Sequence, residues 1–210
     1  MNTRLTRRAL LERCAAFGVL TLAVPTTLLS VSDAWAASEQ KRKPTPTCEL
    51  GPFYKRLAPS VTSMRAAGDP GMPLTVFGTA YSVSGEILHD AKIEVWQTDN
   101  SGHYDIEGYK FRAVLKPDDK GAYSFDSVMP GHYPQRVCQH VHYLVQAPGH
   151  KPLVTQMYFA TDPVFEGDPD KNYTRDSLIS SRELVRPVMI KGEPKEIFAA
   201  VNFDVVLEKA

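Results

Sequence analysis

The sequence predicts an all-β fold, a sandwich of short strands. Three observations carry the prediction. From Leu74 onward, β-rich runs recur at intervals of roughly 8 to 12 residues. Gly, Pro, Asn and Asp gather between the runs, and no long amphipathic helical pattern interrupts them. With 210 residues, 43% of them hydrophobic, and a formal net charge of zero, the chain suits one globular domain. The even charge excludes the footprint of a nucleic-acid binder and leaves small molecules, or a second copy in a homo-oligomer, as partners.

Residues 1–36 stand apart from that domain. Arg4, Arg7, Arg8 and Arg13 precede the apolar run from Ala15 to Leu29, and Ala34-Trp35-Ala36 supplies a small-x-small cleavage pattern. Thr6-Arg7-Arg8-Ala9-Leu10-Leu11 resembles a twin-arginine export motif, so 1–36 reads as a signal peptide and the mature protein as periplasmic or secreted. The apolar run falls short of the roughly 20 residues of a spanning helix and contains Pro25, which argues against a stable membrane anchor. Cys14 leaves with the signal. Cys48 and Cys138 remain, as a disulfide, as two buried thiols or with one thiolate as a metal ligand.

Residues 37–50 are polar and basic, with Pro44 and Pro46, and read as a flexible arm. The domain proper is 51–210. Gly51-Pro52-Phe53-Tyr54 places two aromatics beside a turn-forming pair, and Ala58 to Pro73 is irregular. Strands follow over Leu74 to Tyr81, Ala91 to Trp96, Phe111 to Leu115, Ala122 to Phe125, Val141 to Gln146 and Leu153 to Phe159. The turns between them include Ser84-Gly85, Asp99-Asn100-Ser101-Gly102, Pro117 to Gly121, Met129-Pro130-Gly131 and Pro148-Gly149-His150. Thr161 to Pro187 reads as a long polar loop with one helical turn near Arg175 to Ile179, and a loop of that length is usually functional. The alternation of Ala199, Val201, Phe203, Val205 and Leu207 predicts a closing strand over Ile197 to Leu207.

The chemistry concentrates between Tyr133 and His142. His140 and His142 are separated by one residue, so on a strand they share a face, about 6 to 7 Å apart, and can share a metal ion. No Asp or Glu lies between Asp126 and Asp162 to complete the set. A thiolate from Cys138 beside both imidazoles suits zinc or copper, whereas phenolates from Tyr104 and Tyr133, each just past a turn, suit ferric iron. Trp96, Tyr123 and Phe125 read as core aromatics, and His132 and His150 as solvated turn residues.

Gly102-His103-Tyr104-Asp105, Asp119-Lys120-Gly121-Ala122-Tyr123-Ser124-Phe125, Pro130-Gly131-His132-Tyr133-Pro134 and His140-Val141-His142 occur in that order. With Val95-Trp96-Gln97 upstream and Ala147-Pro148-Gly149-His150 and Thr155-Gln156-Met157-Tyr158-Phe159 downstream, the chain resembles the intradiol ring-cleavage dioxygenases from about Gly51 to about Asp168. The resemblance implies a prealbumin-like β-sandwich with long loops. It also implies Fe(III) held by Tyr104, Tyr133, His140 and His142, with Tyr104 and His140 equatorial and Tyr133 and His142 axial. The expected activity is opening of a catechol-type ring between its hydroxyl-bearing carbons with dioxygen, with Tyr133, Arg136 and Gln156 taking part in catalysis and Tyr54, in a segment that resembles the family's pocket-lining N-terminal stretch, as the pocket candidate. Arg136 lies four residues before the first His, where the family pattern has three. The alternatives are a non-catalytic β-sandwich binding protein and a zinc or copper protein built on Cys138, His140 and His142. Beside the larger catechol-cleaving members, which carry a helical N-terminal dimerisation region, the expectation for this sequence is the catalytic core alone.

Overall fold

The structure, a computed structural model, describes residues 41–134, 136–193 and 196–210; the expected signal peptide lies outside the described residues. Among the described residues no helix is long and apolar enough to cross a membrane.

Ten strands are described: β1 (Pro73–Ser82), β2 (Lys92–Trp96), β3 (Arg112–Leu115), β4 (Ala122–Val128), β5 (His140–Gln146), β6 (Leu153–Phe159), β7 (Val185–Arg186), β8 (Met189–Lys191), β9 (Phe198–Asn202) and β10 (Val205–Leu207). In the first sheet β1 pairs antiparallel with β4 and parallel with β9 and then β10, while β8 pairs with β9. The second sheet runs β3-β2-β5-β6-β7, antiparallel except at β6–β7.

The period of two along each strand separates the faces. Leu74, Val76 and Ala80 of β1 and Tyr123 and Phe125 of β4 meet Ile93, Val95, Val141, Tyr143, Val145, Met157 and Phe159 in one core. Each Val, Leu, Ile, Phe or Met side chain among them, removed from water, contributes about 1.5–3 kcal/mol. The other face of β2, β5 and β6 carries Glu94, Trp96, His140, His142, Gln156 and Tyr158. It is polar in sequence yet buried, because the chain before β1 and the segment after β6 lie over it. That covered face holds the site.

Three expectations need correction. The closing strand is two strands, β9 and β10, because the Asp204 carboxylate accepts the Thr79 N–H at 2.9 Å and interrupts the ladder; its alternation survives, with Ala199, Val201, Phe203, Val205 and Leu207 all buried. The segment 161–187 is not one loop with a turn near Arg175. It holds 3-10 turns at Pro163–Phe165, Tyr173–Arg175 and Arg182–Leu184, a short helix α1 (Pro169–Asn172) and strand β7. Pro163 and Pro169 occupy first-turn positions behind the capping side chains of Asp162 and Asp168, a role that loop punctuation conceals.

The arm is not flexible from Arg42 on. Its prolines leave an extended chain without bonds of its own, and that chain pairs with both sheets: Arg42 N donates to Val83 O, Thr45 N to Val206 O and Cys48 N to Val154 O at 2.9, 3.1 and 2.9 Å. Thr155 Oγ1 adds a bond to Pro46 O at 2.7 Å. Cys48 and Cys138 are both free thiols: Cys138 sits in the core, and Cys48 Sγ lies 3.4 Å from Ser180 Oγ.

Candidate functional site

Four rings converge above the covered face. Strand alternation puts His140 and His142 side by side, centroids 4.8 Å apart and nearly perpendicular. Tyr104 comes from the turn after β2; its ring lies 5.7 Å from that of Tyr133, and its Oη lies 3.3 Å from His140 Nε2. Tyr133 comes from the loop before β5 and lies 5.8 Å from His140, centroid to centroid.

Small residues allow the convergence. Gly102 has φ +87, and a Cβ there would meet His132 O at 1.9 Å, while one on Gly131 would meet Gly102 N at 2.3 Å. The two turns therefore pack backbone to backbone, which brings Tyr104 and Tyr133 over one spot. Gly131 N donates to Asp99 O at 2.7 Å and Thr98 Oγ1 to Gly131 O at 3.0 Å, fixing the approach.

Each histidine is oriented by a neighbour. His140 Nδ1 bonds to Cys138 O at 2.7 Å, which assigns its proton to Nδ1 and leaves the Nε2 lone pair facing Tyr104. His142 pairs with Trp96 across the ladder, and the two rings stack 4.8 Å apart and within 5° of parallel. Burial lowers the pKa of His140 to about 4 and holds that of His142 well below its usual value, with neighbouring cationic groups adding to the effect, so both are neutral donors. Burial, with Tyr133 alongside, raises the pKa of Tyr104; burial also raises that of Tyr133, against the opposing pull of Arg136. A cation in their midst would reverse that preference. Two neutral imidazoles and two phenols form a nitrogen-and-oxygen donor set that fits a hard, highly charged metal ion.

Among the described residues no three His, Cys, Asp or Glu side chains gather as a metal site. The zinc or copper centre on Cys138, His140 and His142 is thereby corrected: Cys138 is buried in the core, and burial raises its thiol pKa.

A cavity of ≈ 360 Å³ opens beside the rings, walled by Pro52, Phe53, Tyr133, Arg136, His142 and Leu178, with Glu49, Gly51 and Gln156 completing it. Arg136 reaches the site despite its shifted position, with Nη2 bonded to Gln156 Oε1 at 2.9 Å. Gln156 pairs with His142 in the ladder and donates to Glu49 O at 2.8 Å. Tyr54 is corrected: it turns away, donates to Glu94 Oε2 at 3.3 Å and lines a different cavity with Leu50, Leu57 and Lys92. Its neighbour Phe53 takes the inward place and stacks on Tyr104 at 4.2 Å.

Sequence reasoning missed Phe53, Trp96, Arg112, Tyr158, Asp162 and Asp176. Arg112, buried, ties Phe53 O to Asp105 O through its two terminal nitrogens at 2.6 and 3.2 Å. Asp162 accepts from Gln139 N at 2.7 Å and holds His132 at 3.0 Å, so His132 is not simply solvated. Ladder register, had it been known, would have marked Trp96 and Tyr158, which lie directly opposite His142 and His140.

A family model described as dioxygenase matches residues 50–209. Hydroxyquinol 1,2-dioxygenase of Rhodococcus opacus is 31% identical over 191 residues, covering 78% of this chain and 63% of that protein. Catechol 1,2-dioxygenase of Acinetobacter baylyi is 30% identical over 195 residues, covering 79% and 62%. The dioxygenase domain of a dioxygenase and carbohydrate-binding fusion from Streptomyces sp. SirexAA-E superposes with a TM-score of 0.68 at 32% identity, covering 80% of this chain and all of that one. The fold is shared with 3-chlorocatechol 1,2-dioxygenase of Rhodococcus opacus 1CP, at a TM-score of 0.69 and 20% identity over 85% of this chain and 78% of that one. The chain belongs to the intradiol ring-cleavage dioxygenase family. It spans under two thirds of the length of the two curated relatives just described.

Proposed function

We propose that the protein is an iron-dependent oxidoreductase that opens a catechol-type ring between its hydroxyl-bearing carbons, using dioxygen. The observation that carries this reading is the convergence of Tyr104, Tyr133, His140 and His142, from three separate stretches of chain, beside a cavity at the small end of ligand pockets. These four residues would hold Fe(III). When bound, the ion supplies a Lewis-acidic centre with an affinity for the paired oxygens of a catechol.

The chain's own groups do the rest. Tyr133, on a loop, is less enclosed than Tyr104, and its oxygen is placed to take a proton from a substrate hydroxyl. Arg136 brings a fixed positive charge to the ring, where negative charge develops. Gln156 orients that guanidinium through its amide oxygen. Pro52, Phe53 and Leu178 supply apolar walls that exclude water and grip the ring faces.

Arg136 is the sole cation among the described lining residues, and Glu49 stands at the same cavity. A carboxylate on the ring would therefore find no free partner, which favours catechol or hydroxyquinol over protocatechuate. Export through the twin-arginine route to the periplasm or beyond is part of the proposal, supported by Arg7-Arg8 and the apolar run that follows. Oxygen uptake with catechol, hydroxyquinol and protocatechuate, with product identification, tests the reading. The expected product is a cis,cis-muconate-type diacid, and ring opening outside the two hydroxyls would contradict it.

A further inference from the structure

We propose that Tyr158 and Asp176 are positioning residues that lock the Arg136 guanidinium so that its Nη1 edge faces the ring centre. This rests on the dioxygenase reading and assigns roles to two residues that reading leaves unused. An arginine offers five N–H donors in a rigid plane and no acceptor. Here Nε donates to Asp176 Oδ2 at 3.4 Å, and the two hydrogens of Nη2 go to Gln156 Oε1 at 2.9 Å and Tyr158 Oη at 2.8 Å. Only Nη1 is left, and it lies 3.5 Å from His140 Nε2. Rotating the guanidinium would break all three anchoring bonds at once.

The anchors are themselves held. Tyr158 is fully buried and pairs with His140 in the β5–β6 ladder, as Gln156 pairs with His142, so the two anchors of Nη2 rise from the strand next to the histidines. Tyr158 Oη also donates to Gln156 Oε1 at 2.9 Å, closing a three-membered ring of bonds with Arg136. Asp176 is buried, and its other oxygen accepts from Leu178 N at 3.0 Å. Arg136 needs such a clamp. It follows Tyr133 in a tight turn, with Arg136 N donating to Tyr133 O at 2.9 Å, so any shift of Tyr133 would carry the arginine backbone with it unless the side chain is anchored elsewhere. Asp176 also makes segment 161–187 part of the site, since the carboxylate that grips Nε comes from there.

The test is a mutant cycle on the iron-loaded full chain: wild type, Tyr158→Phe, Arg136→Gln and the double variant, with kcat, KM, iron content and visible spectrum measured for each. Tyr158→Phe should lower kcat roughly 10-fold, equivalent to about 1.4 kcal/mol, with iron content and spectrum unchanged. In the Arg136→Gln background the same change should lower kcat less than about 2-fold, because residues in one network are non-additive. Asp176→Asn, run in the same two backgrounds, should behave alike and serves if Tyr158→Phe does not fold. An equal factor in both backgrounds would mean a merely structural role and would overturn the proposal. Wild-type protein that opens no catechol would overturn the dioxygenase reading and this role together, whereas an active wild type with additive variants would overturn this role alone.

Discussion

His142 is oriented by two residues that carry no reactive group. Trp96 lies flat against one face of the imidazole, and Gly51, at φ +74, leaves open the space where a Cβ would come within 3.2 Å of His142 Cε1. Gly51→Ala should therefore destabilise the fold by about 1–3 kcal/mol through backbone strain and weaken iron binding by displacing the ring. Urea unfolding and a metal titration measure the two effects separately, and a stable variant with intact iron binding would show that this approach does not matter. Trp96→Ala removes both the stack and a large buried volume, and should lower stability by about 3–5 kcal/mol. A loss below 1 kcal/mol in the same unfolding experiment would mean that the indole is not part of the packed support.

At the scale of elements, the strap of residues 42–48 ties the two sheets together. It bonds Val206 of β10 in one sheet and Val154 of β6 in the other, and the chain continues to Glu49, whose carbonyl holds Gln156. Each such bond contributes about 0.5–1.5 kcal/mol net, and in a domain of this size about 1 kcal/mol shifts the melting midpoint by roughly 2–4 °C. Deleting residues 41–47 should lower the midpoint by several degrees, and an unchanged midpoint would return the segment to a flexible arm.

The six strands between Pro73 and Phe159 were legible because one face of each meets the core, and period-two alternation records that directly. The short strands β7 and β8 were not, since two or three residues carry no period. His140, His142, Tyr104 and Tyr133 stood out as residue types beside turns. Tyr158 and Asp176 did not, because their meaning depends on register and on where a distant segment lies. The choice between Phe53 and Tyr54 depends on the turn at Gly51, which composition does not specify.

At the scale of the whole molecule, the sandwich core leaves the outer face of the second sheet free to carry polar chemistry, and the segments on either side of the strands cover that face. Among the described residues no disulfide contributes to this arrangement, as Cys48 and Cys138 are free. The melting midpoint should accordingly be the same with and without a reducing agent; a bridge worth about 2–4 kcal/mol would appear as a clear fall on reduction. The whole account depends on four side chains holding one ferric ion. The most direct test is the visible absorption of iron-loaded protein, wild type against Tyr104→Phe and Tyr133→Phe, with iron content measured in each. The prediction is one iron per chain and a red-brown phenolate-to-iron band that shifts or weakens in each variant. Protein that remains colourless in excess iron, or a band indifferent to both substitutions, would contradict it.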